Sequence, residues 1–196
     1  MTTDSVTTTG NRRLPRAERR EQILRAATEA FARSGFAATS LDDVAREAGV
    51  TRMVVYTHFE SKHALYQAVL DRMRALLDTA TGAPDYRNFS VEALLAVAAA
   101  EPAGFRLIFH HAAREPDFRD QVERFRATGT DIFRRYGADQ IPDPAWLEWA
   151  CHLVPTVTME AVIAWLDAGQ PDIAEAAVRI RRAIRGVIDA AAAPHA

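Results

Sequence analysis

Between Ser40 and Lys62 the chain reads SLDDVAREAGVTRMVVYTHFESK, a stretch with room for two short helices, a tight turn between them and little else. Ser40 is placed to cap the first helix with its hydroxyl. Asp43 stands at the reciprocal position three residues on, and the acidic pair Asp42 and Asp43 suits the positive end of the helix dipole. Leu41, Val44, Ala45 and Ala48 recur at helical spacing as one buried stripe, in which the small Ala45 lets a second helix cross closely. Gly49, just past the last apolar position, takes the left-handed conformation that ends a helix. Val50 then plugs the corner, and Thr51 is expected to cap the next helix. The resulting turn of three or four residues is the one a helix-turn-helix requires.

The second helix, roughly residues 52 to 59, puts Val55 and Phe59 four apart on an inner face and leaves Arg52, Met53, Tyr56 and Thr57 outward near its N-terminal end. Those residue types suit a major groove. Arginine donates two hydrogen bonds to guanine O6 and N7, and a methionine or a tyrosine ring meets a thymine methyl. Thr39, Ser40, Thr51, Tyr56, His58 and Lys62 are the candidates for phosphate contact around them.

The run from Gly35 to Leu65 resembles the N-terminal domain of the TetR family of bacterial transcriptional repressors. The resemblance rests on Gly35 and Phe36, the pair Thr39 and Ser40, Val44 before Ala45, and then Gly49, Val50, Thr51, Tyr56, His58, Phe59, Ser61, Lys62 and Leu65. Met53 stands where a small residue is usual in that family, and Thr57 where His, Trp or Arg is frequent, so no operator sequence carries over. The resemblance is specific over about the first 80 residues. It implies an all-α protein in which a three-helix DNA-binding domain is joined by a fourth helix to a helical ligand-binding and dimerisation domain, about nine helices in all. It also implies a homodimer that binds a palindromic operator in double-stranded DNA and is released by a small hydrophobic or amphipathic effector, with no cofactor and no metal.

Charge is consistent with a sequence reader rather than a protein that coats nucleic acid. The formal net charge is -2, and residues 1–80 hold 12 Lys and Arg against 10 Asp and Glu, while residues 81–196 hold 12 against 16. A mildly basic head thus sits on an acidic body. The single cysteine, Cys151, cannot form an internal disulfide, which points to the cytoplasm; no apolar run reaches 18 residues and the N-terminus is polar, so neither a membrane span nor a signal peptide is expected.

The chain divides into a disordered arm over 1–15, with Arg12, Arg13 and Arg16 at its end, a DNA-binding domain over 16–62, a linking helix over 63–82 and the body over 83–196. The first helix runs from Arg16 through Ile23, Leu24, Ala27 and Phe31 to Ser34, and Gly35 ends it. The helix opened by Ser61 carries Leu65, Val69, Met73 and Leu76 or Leu77 down one face to about Thr79. Ser90 caps a helix over residues 91–100, Pro102 starts another, Pro116 a longer one, and Pro144 one that carries three tryptophans, with Pro155 expected to kink it. In the last helix Ile173, Ala177, Ile180, Ile184 and Val187 form an apolar stripe which, with Trp165 from the helix before, is assigned to a two-fold dimer interface.

Polar groups stand among the apolar positions of the body: Arg106, His110, His111, Arg114, Cys151, His152, Thr156 and Glu160. With walls of Phe105, Phe109, Phe125, Trp149 and Met159, the residues Arg106, His110, His152 and Thr156 are the candidate ligand site. Two other readings compete. A helical metalloenzyme would use His110, His111 and His152, but adjacent histidines point about 100 degrees apart on a helix and no carboxylate stands at ligand spacing with them. Glu60 and His63 are one half of a di-iron motif that has no second copy. A helical adaptor without a DNA role would leave Arg52, Tyr56, His58 and Lys62 unexplained. No catalytic residue is assigned.

Overall fold

Helix α1 (Arg16–Ala38) and helix α4 (Lys62–Thr81) pack side by side and form the frame on which the head is built. The computed structural model describes residues 14–112, 115, 118–137 and 139–193, so Arg12, Arg13, Arg114 and Pro116 lie outside the described residues. Helices α2 (Leu41–Glu47) and α3 (Arg52–His58) complete the head. The body consists of α5 (Val91–Ala100), α6 (Pro102–Arg106), a π-helical turn (Leu107–His111), α7 (Arg119–Gly137), α8 (Pro144–Asp167) and α9 (Ile173–Ala192). Every element among the described residues is helical.

Local signals account for most of the boundaries. Ser61 and Ser90 accept hydrogen bonds from the backbone N–H of Ala64 and Ala93, which starts α4 and α5. Asp143 and Asp172 do the same for α8 and α9. Gly35 interrupts α1 with a non-helical backbone, and the chain then makes one further turn to Ala38. That turn carries Phe36 inward, a step beyond the expected end at Ser34.

The core of the head and most of the core of the body are continuous. Ile23, Leu24, Ala27 and Phe31 from α1 meet Leu65, Tyr66, Val69, Leu70 and Met73 from α4. Each large apolar side chain fully buried in this way contributes about 1.5–3 kcal/mol. Helix α6 crosses α4 at Gly104, where a Cβ atom would lie 2.9 Å from the Met73 sulfur. Only the missing side chain allows the two helices to approach so closely. Beside this seam the Arg72 guanidinium, 13% exposed, pairs with Glu21 of α1 at 2.8 Å and with Glu101, at the start of α6, at 2.7 Å. One cation therefore ties head to body at a half-buried junction.

Helix α8 is long and apolar enough to cross a membrane by length and composition, but it packs between α7 and α9 as a core helix. Pro155 lies inside it. Much of the last-helix stripe assigned to a dimer interface is also covered within the single chain. Ala177 and Ile180 are buried within one chain against α5 and α8, and Ile184 and Val187 are half-buried on the smaller core formed by Ile141, Ala150, Val154, Ile188 and Ala191. Trp165 is buried and donates its indole N–H to the Pro171 carbonyl at 2.8 Å. Only Ile173 of that set is exposed. The stripe faced inward because α5 lies across α9 and needs an apolar floor, an arrangement the sequence of α9 cannot reveal.

Ile180→Asp would accordingly place a carboxylate in the core of the protomer itself. The expected result in urea unfolding is a loss of several kcal/mol from the folded chain, rather than a stable monomer.

Candidate nucleic-acid interface and effector cavity

The turn between α2 and α3 is specified at each residue. The Asp43 amide donates to Ser40 Oγ at 3.1 Å, and the Ser40 amide donates to Asp43 Oδ2 at 2.9 Å, closing a capping box. These bonds from Ser40 hold the Asp43 carboxyl below its ordinary value. At the other end Val50 N–H donates to Ala45 C=O and Gly49 N–H to Arg46 C=O, with Gly49 at φ +62°. This is the paired closure that a left-handed residue after a helix produces. Gln22 of α1 donates to the last free carbonyl, Ala48 C=O, at 2.8 Å, which fixes the turn to the frame. Thr51 occupies the N-cap position of α3 but makes no side-chain cap, contrary to expectation, and its side chain is exposed.

Helix α3 buries Val55 and, just past its end, Phe59, over which the Arg20 guanidinium sits at 5.0 Å. Its other face carries Arg52, Met53, Tyr56 and Thr57, all exposed; Met53 at 74% and Tyr56 at 42% are among the most exposed large apolar side chains described. The structure brings these four together on one surface, as expected.

Three of the expected phosphate contacts are otherwise engaged. Thr39 is 3% exposed and donates its hydroxyl to Gly35 C=O at 2.7 Å and contacts Ala30 C=O at 3.2 Å. It is a clamp on the break in α1. The Ser40 hydroxyl serves the capping box, with Oγ also 2.6 Å from Asp43 Oδ2. The Lys62 ammonium donates to Phe36 C=O at 2.8 Å and to Ala37 C=O at 3.3 Å, and lies 4.5 Å from the centre of the Phe36 ring. It thus satisfies carbonyls at the end of α1 that have no helical partner. His58 is half-buried, and its pKa is pushed down by that burial and by the positive charges of Arg16, Arg20 and Arg19.

In the body two adjoining cavities, of about 280 Å³ and about 340 Å³, share the walls Tyr86, Phe89, Gly129, Ile132, Pro155 and Met159. Of the expected ligand residues, Phe109, Phe125, His152, Thr156 and Met159 line the first cavity. Four do not. Phe105 is fully buried behind it, its ring 4.7 Å from that of Phe109. Arg106 pairs with Asp167 at 3.0 Å, and Trp149 lies on the outer surface against Trp146, each 40% exposed. His110 stands 3.4 Å from Glu160, which itself lines the cavity. The helix opened by Ser61 was expected to border the ligand, and it does so through Leu77 and Asp78, but no residue was assigned from it, from Tyr86 and Phe89 after it, or from Gly129 and Ile132 on α7. A signal was present in Thr128-Gly129-Thr130, small residues in the middle of a long amphipathic helix.

Aromatic rings pack the start of α7 against the head. Phe118, at the start of α7, packs on Tyr66 at 4.4 Å, His63 at 4.7 Å and Phe36 at 5.3 Å between ring centres. Tyr66 in turn contacts Phe31 at 4.8 Å and Phe36 at 5.0 Å.

Residues 23–69, which contain this turn and its frame, match the model of bacterial regulatory proteins of the tetR family. The chain is also 33% identical over 182 residues to the HTH-type transcriptional activator FasR of Mycolicibacterium smegmatis, covering 86% of this chain and 83% of that one. The chain belongs to the TetR family. It is thus a transcriptional regulator with a DNA-binding helix-turn-helix. Solved TetR-like structures share its fold. A regulator from Rhodococcus sp. RHA1 superposes with a TM-score of 0.75 at 21% identity over 89% of this chain and 98% of that one. FadR of Bacillus subtilis in complex with stearoyl-CoA superposes at 0.64, with 13% identity over 86% and 97%. In this TetR-family chain the family model covers the head, and the cavity lies in the body beyond it.

Two outcomes are expected at the interface. Lys62→Ala should lower stability by about 1–3 kcal/mol, through the lost bonds from a charged donor, and thermal unfolding will register it even without DNA. For His58 the depressed pKa means that the unfolded chain takes up the proton first, so stability falls as pH drops below the ordinary value of 6.5. A phosphate beside His58 acts in the opposite direction and favours protonation. Operator affinity should therefore rise as pH falls from about 8 to about 6, and titrations with His58→Gln should flatten that dependence.

Proposed function

We propose that this TetR-family regulator binds a palindromic operator as a two-fold dimer and is released from it by an elongated apolar or amphipathic effector held in the body. The observation that carries the reading is the direct packing of α7 on the head. The helix that supplies Phe125, Gly129 and Ile132 to the cavity wall directly follows Phe118, which is wedged among Phe36, His63 and Tyr66. A ligand that shifts α7 must move Phe118, and Phe118 cannot move without disturbing the contact between α1 and α4 that orients α3. Cores rearrange between discrete packings rather than deform smoothly, so a small displacement at the cavity is transmitted.

Arg52, Met53, Tyr56 and Thr57 face the major groove in this reading, and Thr51 and His58 contact flanking phosphates. Two copies engage consecutive grooves only when their α3 helices lie about 34–36 Å apart. The dimer is assigned to the outer surfaces of α8 and α9. There Trp146 and Trp149 are exposed, and a groove lined by Ala161, Ala164, Ala176 and Ala183 allows close approach of a second pair of helices. Such a protein acts in the cytoplasm, where the DNA is.

The paired chambers fit a ligand longer than it is wide, apolar along Phe89, Ile132, Pro155 and Met159 and polar near Asp78, Arg126, His152 and Glu160. The stearoyl-CoA in complex with the FadR neighbour supports an acyl chain as the first class to test. Release by ligand makes the protein a repressor. The activator name of FasR supports the opposite transcriptional sign as the second reading, and in vitro transcription with and without effector distinguishes them.

Titration with acyl-CoA thioesters of increasing chain length, in the presence and absence of operator, tests the scheme. Linkage requires that the factor by which ligand weakens DNA binding equal the factor by which DNA weakens ligand binding, typically corresponding to about 1–3 kcal/mol. Thr156→Phe, which fills the first cavity, should abolish ligand response and leave operator affinity within about twofold, since the site lies remote from the DNA face. Equal ligand affinity with and without operator would remove the body from the sensing role.

A further inference from the structure

The acidic residue Asp42 lies on the surface that carries the base-reading candidates. Its Oδ2 accepts from Arg52 Nη1 at 2.9 Å, across the turn from α2 to α3. Arg52 Nη2 also donates to the Tyr56 hydroxyl at 3.1 Å, and the guanidinium carbon lies 5.4 Å from the centre of the Tyr56 ring. Both side chains of the ion pair are more than half exposed, at 56% and 53%. Pairs so exposed contribute little to stability, and a carboxylate facing DNA opposes the phosphates. Nor does Asp42 serve the helix cap, which Ser40 and Asp43 close by themselves.

We infer that Asp42 is a specificity-determining residue, which holds the Arg52 fork in one plane against Tyr56 and so restricts it to guanine at one position of each half-site. This rests on the proposed reading of DNA by α3. A guanidinium has five N–H donors in a fixed fork, and a bidentate contact with guanine uses two of them. Asp42 and Tyr56 engage one terminal nitrogen each, so the plane of the fork is set before DNA arrives. Freed from Asp42, the long arginine side chain can swing to a phosphate, a contact that every sequence offers. The second carboxylate oxygen of Asp42 meanwhile accepts from a cytosine amino group and disfavours the carbonyl edges of guanine and thymine.

The test uses the full-length protein. A duplex is selected from a randomised pool with the unaltered protein, and every single-base variant of it is then titrated with that protein, Arg52→Ala, Asp42→Ala, Asp42→Asn and Asp42→Glu. Arg52→Ala should erase discrimination at one position per half-site. At that same position Asp42→Ala should reduce the preference for guanine by about 5- to 10-fold, while random-sequence DNA is bound as tightly as before or more tightly and with a steeper salt dependence. Asp42→Glu should restore part of the preference and Asp42→Asn less of it. Unchanged melting temperatures would show that α2 is intact. An unaltered guanine preference in Asp42→Ala, with Arg52→Ala still losing it, would overturn the inference and leave the reading by α3 standing. Full discrimination by Arg52→Ala would overturn both.

Discussion

The contact of Phe118 with Tyr66, Phe36 and His63 is the interaction on which the rest of the architecture depends. A DNA-binding head of three helices has little core of its own, and α3 is held mainly by Val55 and by Phe59 just past its end, with Val54 half-buried beside them. Its orientation is inherited from α1 and α4. The aromatic cluster closes the seam between those two helices from the body side, and Arg72 closes it again with ion pairs to Glu21 and Glu101. Edge-to-face rings contribute beyond their buried area because their quadrupoles attract at defined angles. They therefore specify a geometry, where an aliphatic patch would tolerate sliding.

The Tyr66 hydroxyl is buried and finds no hydrogen-bond partner among the described residues, and burial, with Glu115 nearby, pushes its pKa upward. The half-buried pairs of Arg72 with Glu21 and Glu101 are weak evidence for stability but constrain how the helices meet.

Several side chains assigned to DNA by residue type do other work. Lys62 neutralises carbonyls at the end of α1, Thr39 clamps the break at Gly35, and Ser40 closes the cap. Each is a polar residue at the edge of a short helix, where unsatisfied backbone groups compete with any ligand for its donors. The head therefore keeps its polar residues largely for its own integrity. The exposed face of α3 keeps Arg52, Met53 and Tyr56 free of such duties, apart from the pairing of Arg52 with Asp42 and Tyr56.

Local sequence determined the helix-turn-helix almost completely. Caps at Ser40, Ser61 and Ser90, the left-handed Gly49 and the spacing of Val44, Ala45, Val55 and Phe59 act within a few residues of one another, so their consequences are visible in the chain itself. The all-helical class and the outward set Arg52, Met53, Tyr56 and Thr57 were legible for the same reason. What only the tertiary structure decided depends on partners distant in sequence. Ile180 is buried against α5 and α8, Trp149 lies outside the cavity, and Leu77, Tyr86 and Phe89 complete it. An amphipathic stripe records that a face is buried, not what covers it, and a cavity is a property of the gap between helices rather than of any one of them.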